Sequence, residues 1–167
     1  MGYVTHLIYT PLIAFMALAA ETFAQGTPPP AAIMPDFTFR TAPGKTLTPA
    51  DIPRDKPALI VFVDVDCDHC RQAVQEMNDS AVLLSRVHLY IASLAAAPQL
   101  KAFAGKYGPR LKAEWLSDPD ARNMVRFNPV RYPAMFLYSP DKRLLDYEDN
   151  VETIFRIERS IRAFRRL

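Results

Sequence analysis

An α/β fold, a central mixed sheet flanked by helices, is what this sequence predicts. Three observations carry the prediction. Strand-like and helix-like patterns alternate from Asp36 onward. The run Ala58-Leu59-Ile60-Val61-Phe62-Val63, closing on Asp64, is continuously apolar, as a strand covered on both faces must be, and an amphipathic stretch follows it. Two later strand-like runs, Ala134 to Tyr138 and Arg143 to Tyr147, flank the turn-forming Ser139-Pro140-Asp141-Lys142, and an amphipathic helix closes the chain. A β-α-β unit demands parallel pairing and a hairpin demands antiparallel pairing, so the sheet is mixed.

The elements follow in order. Leu7 to Ala20 is an apolar run of fourteen residues, the length of a secretory signal core and short for a membrane span. Thr22-Phe23-Ala24 offers a small-residue cleavage site before Gln25, so residues 1–24 are expected to be a signal peptide. The first six residues lack Lys and Arg, which keeps an uncleaved anchor at residues 7–20 as the rival. No cysteine lies near the site, which excludes a lipoprotein. Residues 25–34, with Pro28-Pro29-Pro30, are expected to form a linker, and residues 35–167 the domain.

Within the domain, Asp36 to Arg40 alternates like a short strand, Pro43-Gly44-Lys45 is a turn, and Thr48 to Asp51 a single helical turn. Arg71 to Leu84 is a helix whose stripe is Ala73, Val74, Met77, Ala81 and Leu84. Val87 to Ala92 is a strand. Leu100, Phe103, Ala104 and Tyr107 mark a helix opened by Pro98 and stopped by Gly108-Pro109. Asp118-Pro119-Asp120 starts a short helix, and Asn150 opens the last, with Ile154, Ile157, Ile161 and Phe164 on one face.

Composition bounds the function. Of 167 residues, 50% are apolar, enough for a core without staples, and a net charge of +2 gives no electrostatic footprint for nucleic acid. The chain has two cysteines, Cys67 and Cys70, in Cys67-Asp68-His69-Cys70. A disulfide between them closes a loop too short to stabilise the fold by chain entropy, so chemistry or metal binding explains the pair better. At a strand-to-helix junction the first sulfur meets the positive end of the helix dipole, which favours thiolate, and the second is near enough to resolve a mixed disulfide.

Four stretches then resemble one family. Met34-Pro35-Asp36-Phe37-Thr38-Phe39, Lys56 to Phe62 leading into the Cys67–Cys70 motif, Leu116-Ser117-Asp118-Pro119-Asp120, and Tyr132-Pro133-Ala134-Met135-Phe136-Leu137-Tyr138 resemble the thioredoxin-like proteins of the TlpA/ResA branch, related to the AhpC/TSA redoxins. The resemblance covers nearly all of residues 33–167. It implies a thioredoxin-like fold with an N-terminal strand extension and an inserted helix and strand before the strand at Ala134. It also implies an exported thiol-disulfide oxidoreductase of the bacterial periplasm or cell envelope. Cys67 would be the nucleophile and Cys70 the resolving thiol. Pro133 would be a cis-proline, with Tyr132 presenting its backbone to the partner chain.

Departures from the family pattern matter too. Asp66 stands where many relatives have tryptophan, and Val61 where thioredoxin buries an acid. Asp64, Asp66 and Asp68 surround Cys67 instead, and Asp64 is the candidate proton shuttle. His69 holds the position of the histidine in the oxidising CPHC motif and, if protonated, favours the thiolate. Protein thiols and disulfides, with a membrane or periplasmic electron-transfer partner, are the expected partners; the chain is expected to be monomeric and to need no cofactor or metal. Reduction is the expected direction. Two alternatives stand beside this reading. A copper-binding module would use the thiolates with His69 or His88. A peroxidase would need a Thr three residues before Cys67, where the chain has Asp64. Trp115 is expected in the core or on an edge strand, and Arg156, Arg159, Arg162, Arg165 and Arg166 complement the dipole of the last helix.

Overall fold

The computed structural model describes residues 29–41, 45–150, 152 and 154–164. The expected signal peptide, Pro43 and Gly44 of the expected turn, and Arg165-Arg166 lie outside the described residues. Seven strands form one sheet: β1 (Phe39–Thr41), β2 (Lys45–Leu47), β3 (Ala58–Phe62), β4 (His88–Ser93), β5 (Ala113–Ser117), β6 (Ala134–Tyr138) and β7 (Leu144–Glu148). Their order is β2-β1-β5-β4-β3-β6-β7. β3, β4 and β5 run parallel, and β6, β7, β1 and β2 are added antiparallel, so the sheet is mixed as expected.

β3 sits between β4 and β6, and all five of its residues are buried, which is why its sequence is an unbroken apolar run. Successive side chains leave the sheet on opposite faces, and each face has its own core. Leu59 and Val61 join Leu89, Ile91, Met135 and Leu137 beneath the helices α1 (Asp68–Asp79), α2 (Ala81–Leu84), α3 (Ala97–Tyr107) and α4 (Ile154–Phe164). Ile60 and Phe62 face the other way, into an aromatic layer of Phe37, Phe39, Phe127, Phe136 and Tyr138. Phe62 meets Phe127 and Phe136 edge-on, at 5.0 and 5.7 Å between centroids, an arrangement the ring quadrupole favours. Helices cover one face; the N-terminal segment and two 3₁₀ turns, Pro49–Asp51 and Met124–Phe127, cover the other.

Several expectations shift. Residues 29–34, assigned from sequence to the linker, belong to the folded domain. Ala31 N–H donates to the Phe127 carbonyl, Met34 N–H to that of Lys142, and the Tyr138 hydroxyl to the carbonyl of Ala31. Prolines cannot donate, yet the alanines and Met34 between them can, and composition alone does not show it. The single helix expected over Arg71 to Leu84 is two: α1 starts at Asp68 and ends at Asp79, and α2 resumes after Ser80. At the end of α1, the Arg110 backbone N–H donates to the Asn78 side chain and the Arg110 guanidinium pairs with Asp79. The first strand forms at Phe39–Thr41, later than the alternation at 36–40 suggests. β5 carries Trp115, half-buried against Phe103, at 6.3 Å between ring centroids. Its alternating polar residues hide it in the sequence, although it bridges β4 to β1.

Candidate active site

Cys67 and Cys70 lie where β3 gives way to α1, at the carboxyl end of the parallel strands, the end where open α/β sheets place their sites. Cys67 is the N-cap of α1, with extended backbone angles (φ −88°, ψ 126°), and its Sγ accepts the Cys70 backbone N–H at 3.4 Å. A thiolate is the better acceptor for that N–H and gains from the free N–H groups of the first helical turn. Cys67 is half-exposed, whereas Cys70, in the first turn, is fully buried among Val74, Met77 and the strand residues of the helical face.

Burial pushes the Cys70 thiol up to about 12; the Asp64 backbone N–H, donating to its Sγ at 3.3 Å, works the other way, and the Cys67 sulfur and the Asp64 charge add to the rise. The two sulfurs therefore occupy different environments. One is accessible and faces helix donors, and the other is held neutral in the core.

The other residues singled out from sequence gather unevenly. Asp64 is exposed, and its carboxylate accepts the Asp66 N–H at 2.9 Å, closing the loop that carries Cys67. His69, the second residue of α1, is exposed. The Tyr132–Pro133 peptide bond is cis, with Pro133 buried and Tyr132 half-buried against both cores. Burial pushes the Tyr132 phenol up, with smaller contributions from the charges of Asp64, Cys70 and Asp118, and Tyr132 packs against the same core as Cys67 and Cys70.

His88 is not brought to the cysteines. It pairs in register with Ala58, at the opposite end of β3, and its Nε2 meets the Asp55 carboxylate at 2.6 Å. The copper alternative loses that ligand. Among the described residues no group of three or more His, Cys, Asp or Glu converges on a metal position.

Sequence reasoning missed Arg71. Its Nε donates to the Val65 carbonyl at 3.3 Å, and its guanidinium reaches Asp68 at 2.6 Å and Asp66 at 4.0 Å. The Asp68–Arg71 spacing of i to i+3 on one helix was the available signal. Asp118, read from sequence as the start of a short helix and as part of a family stretch, is a buried carboxylate. It accepts the backbone N–H groups of Asn123 and Met124 at 3.0 and 2.9 Å and the Asn123 side-chain amide at 2.9 Å.

Together the sheet order, the N-capping cysteine and the cis-proline at the start of β6 define a thioredoxin-fold redoxin. The chain belongs to the AhpC/TSA family, whose pattern matches residues 30–147. No curated protein matches its sequence. Solved structures of similar fold include dsbF of Mycobacterium tuberculosis, at 21% identity and a TM-score of 0.66, covering 76% of this chain and 93% of that one. A secreted M. tuberculosis disulfide oxidoreductase homologous to E. coli DsbE has 22% identity and a TM-score of 0.62, covering 76% and 95%. The peroxidoxin BcpB of M. tuberculosis has 17% identity and a TM-score of 0.69, covering 80% and 96%. The fold thus spans disulfide oxidoreductases and peroxidoxins alike, and the chain falls within a thioredoxin-like family of redox enzymes.

Proposed function

We propose that this chain is an exported thiol-disulfide oxidoreductase that exchanges disulfides with protein partners through Cys67 and Cys70 and works as a reductase. The observation that carries the reading is the asymmetry of the pair: Cys67 half-exposed at a helix N-cap, Cys70 buried one turn on with its thiol held neutral. The apolar run Leu7 to Ala20 supports export to the periplasm or cell envelope.

In the reductive direction, the Cys67 thiolate attacks one sulfur of a partner disulfide. The partner's S–S bond breaks, its other sulfur leaves as thiolate, and Cys67 is joined to the partner by a mixed disulfide. Cys70 then gives up its proton and attacks the Cys67 sulfur. The Cys67–Cys70 disulfide forms, the partner's second thiolate leaves, and two electrons have passed from protein to partner. The Asp64 carboxylate is the proton acceptor in this reading; the residue's backbone N–H donates to the Cys70 sulfur, which sets Asp64 next to it. His69, when protonated, stabilises the Cys67 thiolate. Tyr132 and Pro133 offer backbone to the partner chain. A membrane or periplasmic donor restores the dithiol, and the chain acts as a monomer without cofactor.

Cys67→Ser is expected to abolish turnover of a disulfide substrate, and Cys70→Ser to accumulate a mixed disulfide visible by mass spectrometry. Retained exchange in Cys67→Ser overturns the mechanism. Peroxide consumption exceeding disulfide exchange would assign the chain to the peroxidoxins instead. The direction is read from the reduction potential: about −270 mV, as in thioredoxin, supports the reductase, and about −120 mV, as in DsbA, reverses it.

A further inference from the structure

Three carboxylates crowd the Cys67 loop, and each negative charge near a sulfur disfavours its thiolate. Two of them, Asp66 and Asp68, flank Cys67 directly and stand in water, with side chains 93% and 90% exposed. Arg71 is different: one-third exposed, its side chain lies along the loop and is held there by the Val65 carbonyl. One guanidinium therefore meets residues 65, 66 and 68, on both sides of the cysteine.

Resting on the reading of Cys67 as nucleophile, we infer that Arg71 is a positioning residue that fixes the 65–68 loop around Cys67 and offsets the charge of Asp66 and Asp68 beside its sulfur. Arg suits this role because its planar fork donates in several directions at once and stays charged at every working pH. Asp64 is turned to the Asp66 N–H, and His69 stands at the exposed start of α1. Cys70 is buried beneath. Tyr132 packs against the same core as Cys67, and the Asp118 carboxylate is spent on Asn123 and Met124. Arg131, next to Tyr132, is engaged by Asp149. Arg71 is thus the cation set against the loop acids.

The test is the pH dependence of Cys67 alkylation by iodoacetamide in the full chain, in a Cys70→Ser background so that one thiol reports. Arg71→Gln is expected to raise the alkylation midpoint by about half a pH unit, a roughly threefold loss of thiolate below it, because exposed charges at this range act through a high dielectric. Adding Asp66→Asn and Asp68→Asn should bring the midpoint back. In 1 M salt, where the screening length falls to about 3 Å, most of the Arg71→Gln shift should vanish. Arg71→Lys keeps the charge and should hold the midpoint near that of the parent even if the loop loosens. A midpoint unmoved by Arg71→Gln, or one that moves and stays moved in the triple variant and in salt, overturns the charge-offset role. Because alkylation reports the Cys67 thiol directly, these outcomes are separate from a failure of Cys67→Ser to abolish exchange, which would sink the oxidoreductase reading itself.

Discussion

Resolution of the mixed disulfide by Cys70 is the step most exposed to a quantitative test. Burial holds the Cys70 thiol at about 12, against 9.0 for the same group in water. A shift of about three units, at a factor of ten each, leaves roughly a thousandth of the thiolate an exposed cysteine has at neutral pH. In a Cys67→Ser variant, where Cys70 is the sole thiol, its alkylation rate should climb tenfold per pH unit and show no plateau below about pH 11. Loss of the Cys67 sulfur removes two of the lesser causes of the rise but leaves burial, the first. The slope, not the absolute rate, is the measurement, since a buried sulfur is also slow to reach. A plateau at or below pH 9 refutes the argument that burial controls this thiol. In the intact pair the same neutrality makes resolution depend on a local base. Asp64→Asn is expected to slow decay of the mixed disulfide, more at pH 6 than at pH 9, without slowing the first attack by Cys67; stopped-flow with acid quench separates the two steps.

Two further outcomes test the scaffold. Asp118→Asn should cost about 1–2 kcal/mol and Asp118→Ala about 3 kcal/mol in urea titrations, because the buried carboxylate satisfies three N–H groups, one of them buried, and leaving such donors unmet is expensive. Asn123 cannot flip its amide to help without surrendering both bonds to the Thr38 backbone; an Asp118→Asn variant as stable as the parent refutes that network. Tyr90 is raised to about 12 by burial, Cys70 likewise, and burial raises Tyr138 as well. All three ionise more readily unfolded, so the stability they contribute is whole below about pH 9 and is lost as pH rises toward and through 12. The thermal midpoint should fall steeply across that window. Tyr138→Phe should flatten the fall while costing about 1 kcal/mol at pH 7, since the hydroxyl also holds the Ala31 carbonyl.

Much of this protein is legible from residues alone because its strongest signals are local. An apolar run as continuous as Ala58 to Val63 fits only a doubly covered strand, and β3 is buried throughout. Turn chemistry at Ser139 to Lys142 is a matter of four residues, and the hairpin closes there with Lys142 at φ 65°. Two cysteines three apart ahead of an amphipathic stretch place one sulfur at a helix N-terminus whatever else the fold does. What local pattern leaves open is what depends on distant partners. Nothing in Ala113 to Ser117 marks a strand until β4 and β1 lie on either side of it. The docking of residues 29–34 waits on Phe127 and Lys142, about a hundred positions away. His88 was eligible as a metal ligand until its register with Ala58 sent it to the other end of the sheet. The identity of the motif was in the chain; which sulfur is buried, and that His88 lies at the far end of the sheet from it, was decided by tertiary packing, because burial and proximity are properties of space and not of sequence separation.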